Sequence, residues 1–452
     1  MTGAKRIRLM KIFINGEHEL KNSIFLIDYF RNTSPEYLEH IVLVDIKPCD
    51  EAREWATAQT DFTYIYFEED VTPGKAYNQI INELQLSDDI LLMDNCHIPL
   101  VGSIERLYAG LCDNEDAFAV GPVSNTSIWS QAAAWNDAET AFDWSENKNE
   151  KEYEEVLFLS EDVVLLSRTV LIGEKPFSED PKTVKEMITE KCIREFYTHK
   201  RMYVCKNSGF WDVRGDDYRY LFLENTEFIE QSFGIHYLNV RGNDCIVGII
   251  TDCVKDTEKE LDIMEIGCDC GGTLFALKKI YRNSKLYGTD INEGSLRFAS
   301  EFAEVRVNNI EEKNLDFGNT KFDIIIFGDV LEHLRDPLST IIYCKTLLKR
   351  GGRIAASIPN LMNIEVMKYI LNGDFPYAEY GLLDKTHIHL FTYNEIVRMF
   401  TQQAGYRIEK ISMNGQFTSE DERLADQLLK LGKAQKFMYQ AFQYQLMAYS
   451  EN

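Results

Sequence analysis

Acidic residues and glycines gather at points of this chain where a β-strand gives way to a helix. In DIMEIGCDCGGTLFALKK, Glu265, Gly267, Cys268 and Asp269 lead to the pair Gly271-Gly272, which opens a helical pattern. A glycine-rich strand-to-helix turn brings backbone amides close to a bound nucleoside. Turns that take a dinucleotide pyrophosphate have glycine where this chain has Asp269, and an anionic side chain there repels phosphate. A phosphate-free cation suits the turn better, and S-adenosylmethionine, with a sulfonium and an ammonium, is the expected cofactor. An NAD-type reading shares the turn but not the acidic residue.

The segments that follow extend the same site. The next strand, KLYGTD, ends at Asp290, a carboxylate spaced to accept hydrogen bonds from both ribose hydroxyls. Ile291 can then pack on the adenine face, and Asn309-Ile310 after the third strand can meet the adenine edge. Asp329 closes the fourth strand and His333 follows it, where a doubly wound sheet presents ligands. His333 reads as shaping the pocket more than as reacting. In DKTHIHLF, His387 and His389 alternate with Ile388 and Leu390, which would place both imidazoles on one face. No third ligand accompanies that pair, so no metal is expected there. His387 is expected to be the general base, since a neutral imidazole near pH 7 can take a hydroxyl proton.

In the first half, Asp45 ends a strand and suits a base or ribose contact, with Asn78 opening a helix near it. The stretch MDNCHIP carries Asp94, Asn95, Cys96 and His97. Asp94, alone or with His97, is a candidate for Mn2+ or Mg2+, but Cys96 is a poor ligand for such hard cations. Glu179 and Asp180 lie in PFSED, and Asp180 is a candidate base.

Two successive α/β patterns must hold these residues. The first has strands at 11–15, 40–45, 63–67, 89–93 and 117–120, with helices at 21–31, 51–58, 77–84 and 101–111. The acidic stretch 136–155 reads as a solvated loop, followed by an apolar run at 156–166. The second has strands at 262–266, 285–289, 304–308, 322–327 and 353–357, with Gly351-Gly352 turning the chain into the last. A break near residue 230 gives domains 1–230 and 231–452. Residues 420–448 read as a C-terminal helix covering the core. Aromatic residues Phe210, Trp211, Tyr218 and Tyr220 are expected in core or interface packing ahead of sugar stacking.

Composition limits the partners. The 452 residues carry 48 Lys plus Arg against 73 Asp plus Glu, a net charge of −25, which disfavours nucleic acid and anionic membrane as partners. Ten scattered cysteines without a CxxC pair read as reduced thiols. No apolar stretch of signal-peptide or membrane-spanning length occurs, so a cytoplasmic protein is expected. Oligomeric state stays open.

Taken together, EIGCDCGG, GTDIN, FGDVLEHLRDP, LLKRGGRIAASIPN and GLLDKTHIHLFT resemble class I S-adenosylmethionine-dependent methyltransferases of surface-polysaccharide and sugar-modifying clusters. This resemblance, over 233–411, implies a Rossmann-like fold and methyl transfer to a sugar or glycan acceptor; His387 matches the histidine of the family's GLLD-x-THxxxFT segment. The segments IVLVDIKPCD, GKAYNQIINEL, DDILLMDNCHIP, AVGPVSN and VVLLSRTVLIGEKPFSED resemble, over 12–180, a GT-A-fold glycosyltransferase of the family 2 type. That resemblance implies a nucleotide-sugar donor and a divalent cation on an acidic motif, here reduced to Asp94-Asn95-Cys96. Two readings stay open: a bifunctional enzyme of glycan assembly, or a methyltransferase with a non-catalytic module that binds glycan or nucleotide sugar.

Overall fold

The computed structural model describes residues 10–16, 19–127, 131–135, 137–146, 150–159, 162–215, 227–235 and 240–450. Tyr218 and Tyr220 lie outside the described residues. The chain separates into two compact units, Met1–Ser232 and Phe233–Asn452.

In the first unit the described strands are β1 (Met10–Asn15), β2 (Ile41–Ile46), β3 (Thr63–Phe67), β4 (Asp89–Asp94), β5 (His97–Pro99), β6 (Ala117–Ser124), β7 (Tyr153–Val156), β8 (Val163–Leu166) and β9 (Arg201–Asp212). They form one sheet in the order β3-β2-β1-β4-β8-β6-β9-β5, with β7 on β9. Strands β3-β2-β1-β4 run parallel, as do β6 and β9, and β8 pairs antiparallel with both β4 and β6. Strands such as DILLMD are buried along their whole length, as central parallel strands require. Phe210 is fully buried in β9 and packs in the core.

The expected solvated loop at 136–155 instead contains a helix, Ala138–Glu146, and β7. Its acidic residues conceal one apolar face. Phe142 packs on the core, and the rings of Trp135 and Trp144 meet edge to face, 4.9 Å apart, against Gly209.

The second unit holds β10 (Asp262–Ile266), β11 (Lys285–Asp290), β12 (Glu304–Val307), β13 (Phe322–Gly328), β14 (Leu348–Pro359), β15 (Arg407–Asn414) and β16 (Gln443–Tyr449). Their order is β12-β11-β10-β13-β14-β16-β15. The first five run parallel and β16 is antiparallel to both neighbours. The chain winds outward from β10 through β11 and β12, then resumes on the other side of β10 at β13. The carboxyl ends of these strands therefore flank a crevice at the switch point, where such sheets take ligands.

The expected C-terminal helix over 420–448 is two short helices, Ser419–Leu428 and Lys436–Gln440, followed by β16. Inserted between β14 and β15, β16 buries both faces: Tyr444, Leu446 and Ala448 join one core cluster and Met447 the other. An apolar run buried on both sides lacks the alternation that marks a half-exposed strand. Among the described residues no helix is long and apolar enough to cross a membrane.

The strand assignment fixes which leucine carries stability. Leu446, fully buried, is expected to cost about 2–5 kcal/mol on change to alanine. Leu431, 81% exposed, is expected to cost less than about 0.5 kcal/mol. Urea unfolding of the two variants compares them directly.

Candidate functional site

A cavity of about 950 Å³ opens at the carboxyl ends of the second unit's parallel strands. Of the residues expected to bind the cofactor there, Glu265, Gly267, Cys268, Asp269, Asp290, Ile291, Asn309, Ile310 and Asp329 line it, together with His333. Gly271 does not line it and acts one step back. It caps the helix Gly272–Ile280 at a φ of +78°, and a Cβ there would lie 2.9 Å from the Phe302 ring. Gly267, at φ +70°, leaves no room for a side chain beside Val330.

The turn is built around carboxylates. Asp290 accepts the Asp269 and Asn292 amides, each at 2.9 Å, which fixes it at the end of β11. Asp269 holds a left-handed φ of +46°, uncommon for a residue with a Cβ. Burial pushes the Glu265 carboxyl up to about 8, with the charges of Asp290 and Asp269 adding to it. Its Oε2 is buried without a hydrogen-bond partner. The Cys268 thiol is driven well above its ordinary value by burial and by the same carboxylates, so it serves as packing. Ile291 is 76% exposed at the cavity rim, and Asn309 turns its carbonyl onto the Glu311 amide.

Asp329 also has a left-handed φ, +57°. Its Oδ1 accepts the Ser357 hydroxyl at 2.9 Å and the Gln443 amide at 2.7 Å, while Oδ2 accepts Asn243 Nδ2 at 3.1 Å. Burial raises this carboxyl, and the Ser357 hydroxyl opposes the rise.

The imidazoles are arranged otherwise than the alternating pattern implies. No strand forms at 386–390; the amides of Ile388 and His389 both donate to the Glu332 carbonyl, at 2.9 and 3.0 Å. His389 stacks on Phe391 and faces the Arg335 carbonyl, whereas His387 packs edge-on against His333 with ring centroids 4.8 Å apart. His333 is the imidazole on the cavity wall and His387 stands behind it. Burial lowers His387, and the His333 ring adds to the effect.

Glu332 supplies the third ligand that sequence spacing did not offer. Ligand atoms of Glu332, His333 and His387 lie within 4.8 Å of one another, a group able to hold a divalent ion. Sequence reasoning also missed Asn243, Asp384, Asn414 and Gln443 on the cavity wall. Asn243 carried a signal, as a side-chain cap before the helix Asp244–Cys253. The others lie far along the chain and meet the site only through β15, β16 and the 384–391 segment.

The first unit has a cavity of about 470 Å³ at the ends of β1 and β2, bordered by Asn15, Gly16, Asp45, Lys47, Trp55 and Lys182 among others. Asp45 accepts the Tyr64 hydroxyl at 2.9 Å and is raised by burial. The other expected residues do not border this cavity. Asn78 is structural: its amide donates to the Phe177 carbonyl at 2.8 Å and its oxygen accepts the Phe177 amide at 2.9 Å. Asp180 is exposed and bonds only locally, to Ser178.

Asp94 is not poised for a metal, and the reason is charge. Its Oδ1 lies 2.6 Å from His97 Nδ1 and its Oδ2 lies 3.0 Å from Arg214 Nη2. Arg214 also grips Asp212, at 2.7 Å, and Lys185 lies 2.8 Å from Asp162. Asp94, Asp162 and Asp212 are thus matched by His97, Arg214 and Lys185. Burial by itself would pull fully buried His97 down, but Asp94 and Asp212 outweigh it and hold the imidazole at about 9. Cys96 is buried, with its sulfur accepting the Asn22 amide at 3.3 Å.

Breaking this cluster should be costly. Asp94→Asn is expected to lose about 3–5 kcal/mol, because it leaves buried cations short of a counter-charge. With its folded pKa raised, His97 contributes stability in full below the ordinary imidazole value of about 6.5. That stability is lost as pH rises through about 9. Urea midpoints of wild type and His97→Gln should therefore converge across this interval.

Comparison with known proteins bears on the second unit. Residues 264–354 match the family model described as a methyltransferase domain. A ubiquinone biosynthesis O-methyltransferase of Dinoroseobacter shibae is 35% identical over 107 residues, 23% of this chain and 42% of that protein. The protein of the same name from Colwellia psychrerythraea is 31% identical over 174 residues, 36% of this chain and 63% of that protein. The chain thus spans less than two thirds of either relative. A methyltransferase structure from Archaeoglobus fulgidus, described as SAM-dependent, aligns with 49% of this chain and 98% of its own at 16% identity and a TM-score of 0.34. From its strand order, its cavity at the switch point and the family match, the second unit carries a methyltransferase domain.

Proposed function

We propose that the second unit transfers a methyl group from S-adenosylmethionine to a hydroxyl oxygen of a sugar or glycan acceptor. The reading rests on one observation above the rest: the switch-point cavity is ringed by Glu265, Asp269, Asp290 and Asp329, and among its described lining residues Arg241, paired with Asp244, is the one lysine or arginine. A cavity of that charge suits a cation and opposes a dinucleotide. Oxygen as the receiving atom draws support from the O-methyltransferase names of the relatives.

When bound, S-adenosylmethionine supplies a methyl carbon activated by the adjacent sulfonium. On this reading Asp290 accepts the ribose hydroxyls, and Glu265 and Asp269, which line the same cavity, meet the ammonium. His333, on the cavity wall, takes the acceptor proton, and His387 packs behind it as a positioning residue. Each imidazole turns Nδ1 toward a backbone carbonyl, of Thr386 at 3.2 Å and Leu382 at 3.3 Å. A carbonyl only accepts, so the proton sits on Nδ1 and the Nε2 lone pair remains for the acceptor.

In the first unit the same reading favours a module of nucleotide-sugar type that binds glycan or nucleotide sugar without a catalytic metal. The observation that favours it over a second active transferase is the closed cluster at Asp94.

His333→Ala is expected to lower kcat/KM about 100-fold or more, and His387→Ala less, with S-adenosylmethionine affinity by calorimetry unchanged in both. Asp290→Ala should weaken the cofactor itself. Burial and the His333 ring lower His387, so charging it at acid pH sets a positive charge against His333, and kcat/KM is expected to fall as pH drops below the ordinary imidazole value of about 6.5. Equal binding of NAD and S-adenosylmethionine in a thermal-shift assay would overturn the cofactor assignment.

A further inference from the structure

The half of the cavity left to the acceptor is walled by Asn243, Asp329, His333, Asp384, Asn414 and Gln443. Its side-chain amides are turned in part onto the wall itself. Asn243 and Gln443 give amide hydrogens to Asp329, at 3.1 and 2.7 Å. Asn414 turns its amide nitrogen toward Gln443 Oε1 at 3.5 Å and accepts the Gln443 backbone amide at 2.9 Å. The imidazoles of His333 and His387 spend their Nδ1 hydrogens on carbonyls, and His387 Nε2 looks toward Glu332 Oε1 at 4.0 Å. Glu332 Oε2 is buried without a hydrogen-bond partner. The Asp384 carboxylate takes the Thr386 amide at 2.7 Å and its hydroxyl at 2.6 Å. Arg241, the one lysine or arginine among the described lining residues, is paired with Asp244 at 2.9 Å.

What faces the acceptor is therefore an array of lone pairs and negative charge. A ligand fits such a wall by bringing hydrogens to it. Resting on the reading that this cavity is the methyl-transfer site, we propose that the acceptor presents neighbouring hydroxyls or an ammonium to Asp329, Asp384 and the imidazoles, and carries no phosphate or carboxylate beside the reacting atom. A phosphate there would set its charge against two carboxylates, with Arg241 already paired to Asp244.

Two sources offer adjacent hydroxyls, a sugar and a catechol, and the test separates them. The full chain is given S-adenosylmethionine and matched panels of simple glycosides, amino-glycosides, catechols and sugar phosphates, with S-adenosylhomocysteine formation as readout. Neutral or amino acceptors are expected to exceed their phosphorylated counterparts at least tenfold in kcat/KM, and whichever of the glycoside and catechol panels turns over names the source. Asp384→Asn, which removes charge but keeps an accepting oxygen, should narrow the gap through KM; Asp329→Asn is the second variant should the first unfold. Preference for a phosphate-bearing acceptor overturns the proposal. So does an unchanged ratio in a folded variant, or turnover that chelation abolishes and Mg2+ restores, since a cation on Glu332, His333 and His387 would then be reading the hydroxyls. Absence of turnover with every neutral and amino acceptor, in a chain that binds S-adenosylmethionine by calorimetry, also overturns it. Failure to bind S-adenosylmethionine at all counts against the methyl-transfer reading instead.

Discussion

The second unit is organised around one half-buried carboxylate. Asp329 follows β13 in a left-handed conformation that a side chain seldom adopts, and it stays there because three elements hold it: Ser357 from β14, Gln443 from β16 and Asn243 at the start of a helix. Each donor is neutral, so the carboxylate is solvated by the protein without being cancelled. A lysine in place of any of them would satisfy the same lone pairs and abolish the negative potential on which a cationic ligand depends. The arrangement also explains why the last strand must reach this far: Gln443, its first residue, completes the set.

The two units treat buried acidity in opposite ways. In the first, Asp94, Asp162 and Asp212 are matched by His97, Arg214 and Lys185, and the cluster closes on itself. In the second, Glu265, Asp269, Asp290 and Asp329 share a cavity whose described lining contributes one arginine, itself paired with Asp244. Burial therefore outweighs the neutral hydrogen bonds to Glu265 and Asp329 and raises both, whereas Asp212, also buried, is drawn down because His97 and Arg214 outweigh its burial. A closed cluster holds a fold in one arrangement; an open one leaves charge for a ligand to meet.

Local signals made the cofactor half of the site legible. Glu265, Gly267, Asp269, Asp290 and Asp329 sit at strand ends or just beyond them, and a strand end is visible in a sequence because a β-branched run stops at a glycine or a carboxylate. Residues that arrive from far along the chain gave no such mark. Gln443 and Asn414 lie at the ends of β16 and β15, and the apolar run around Leu446 reads as helix because both its faces are covered. Asp94 was misread for a related reason: Arg214 lies over a hundred residues beyond it, and only the fold brings that guanidinium to fill a place that local spacing assigns to a metal.

The pair of imidazoles shows why spacing alone misplaces a side chain. Alternation at His387 and His389 implies an extended strand with one shared face, but strands exist only where a neighbour supplies hydrogen bonds along their length. Here a single carbonyl, that of Glu332, takes both amides at 388 and 389 and pins the segment as an irregular loop. The loop directs His387 inward against His333 and leaves His389 with Arg335. Proton transfer requires reach before it requires a suitable pKa. His333, borne on the turn that follows β13, lines the cavity, and His387 packs edge-on behind it.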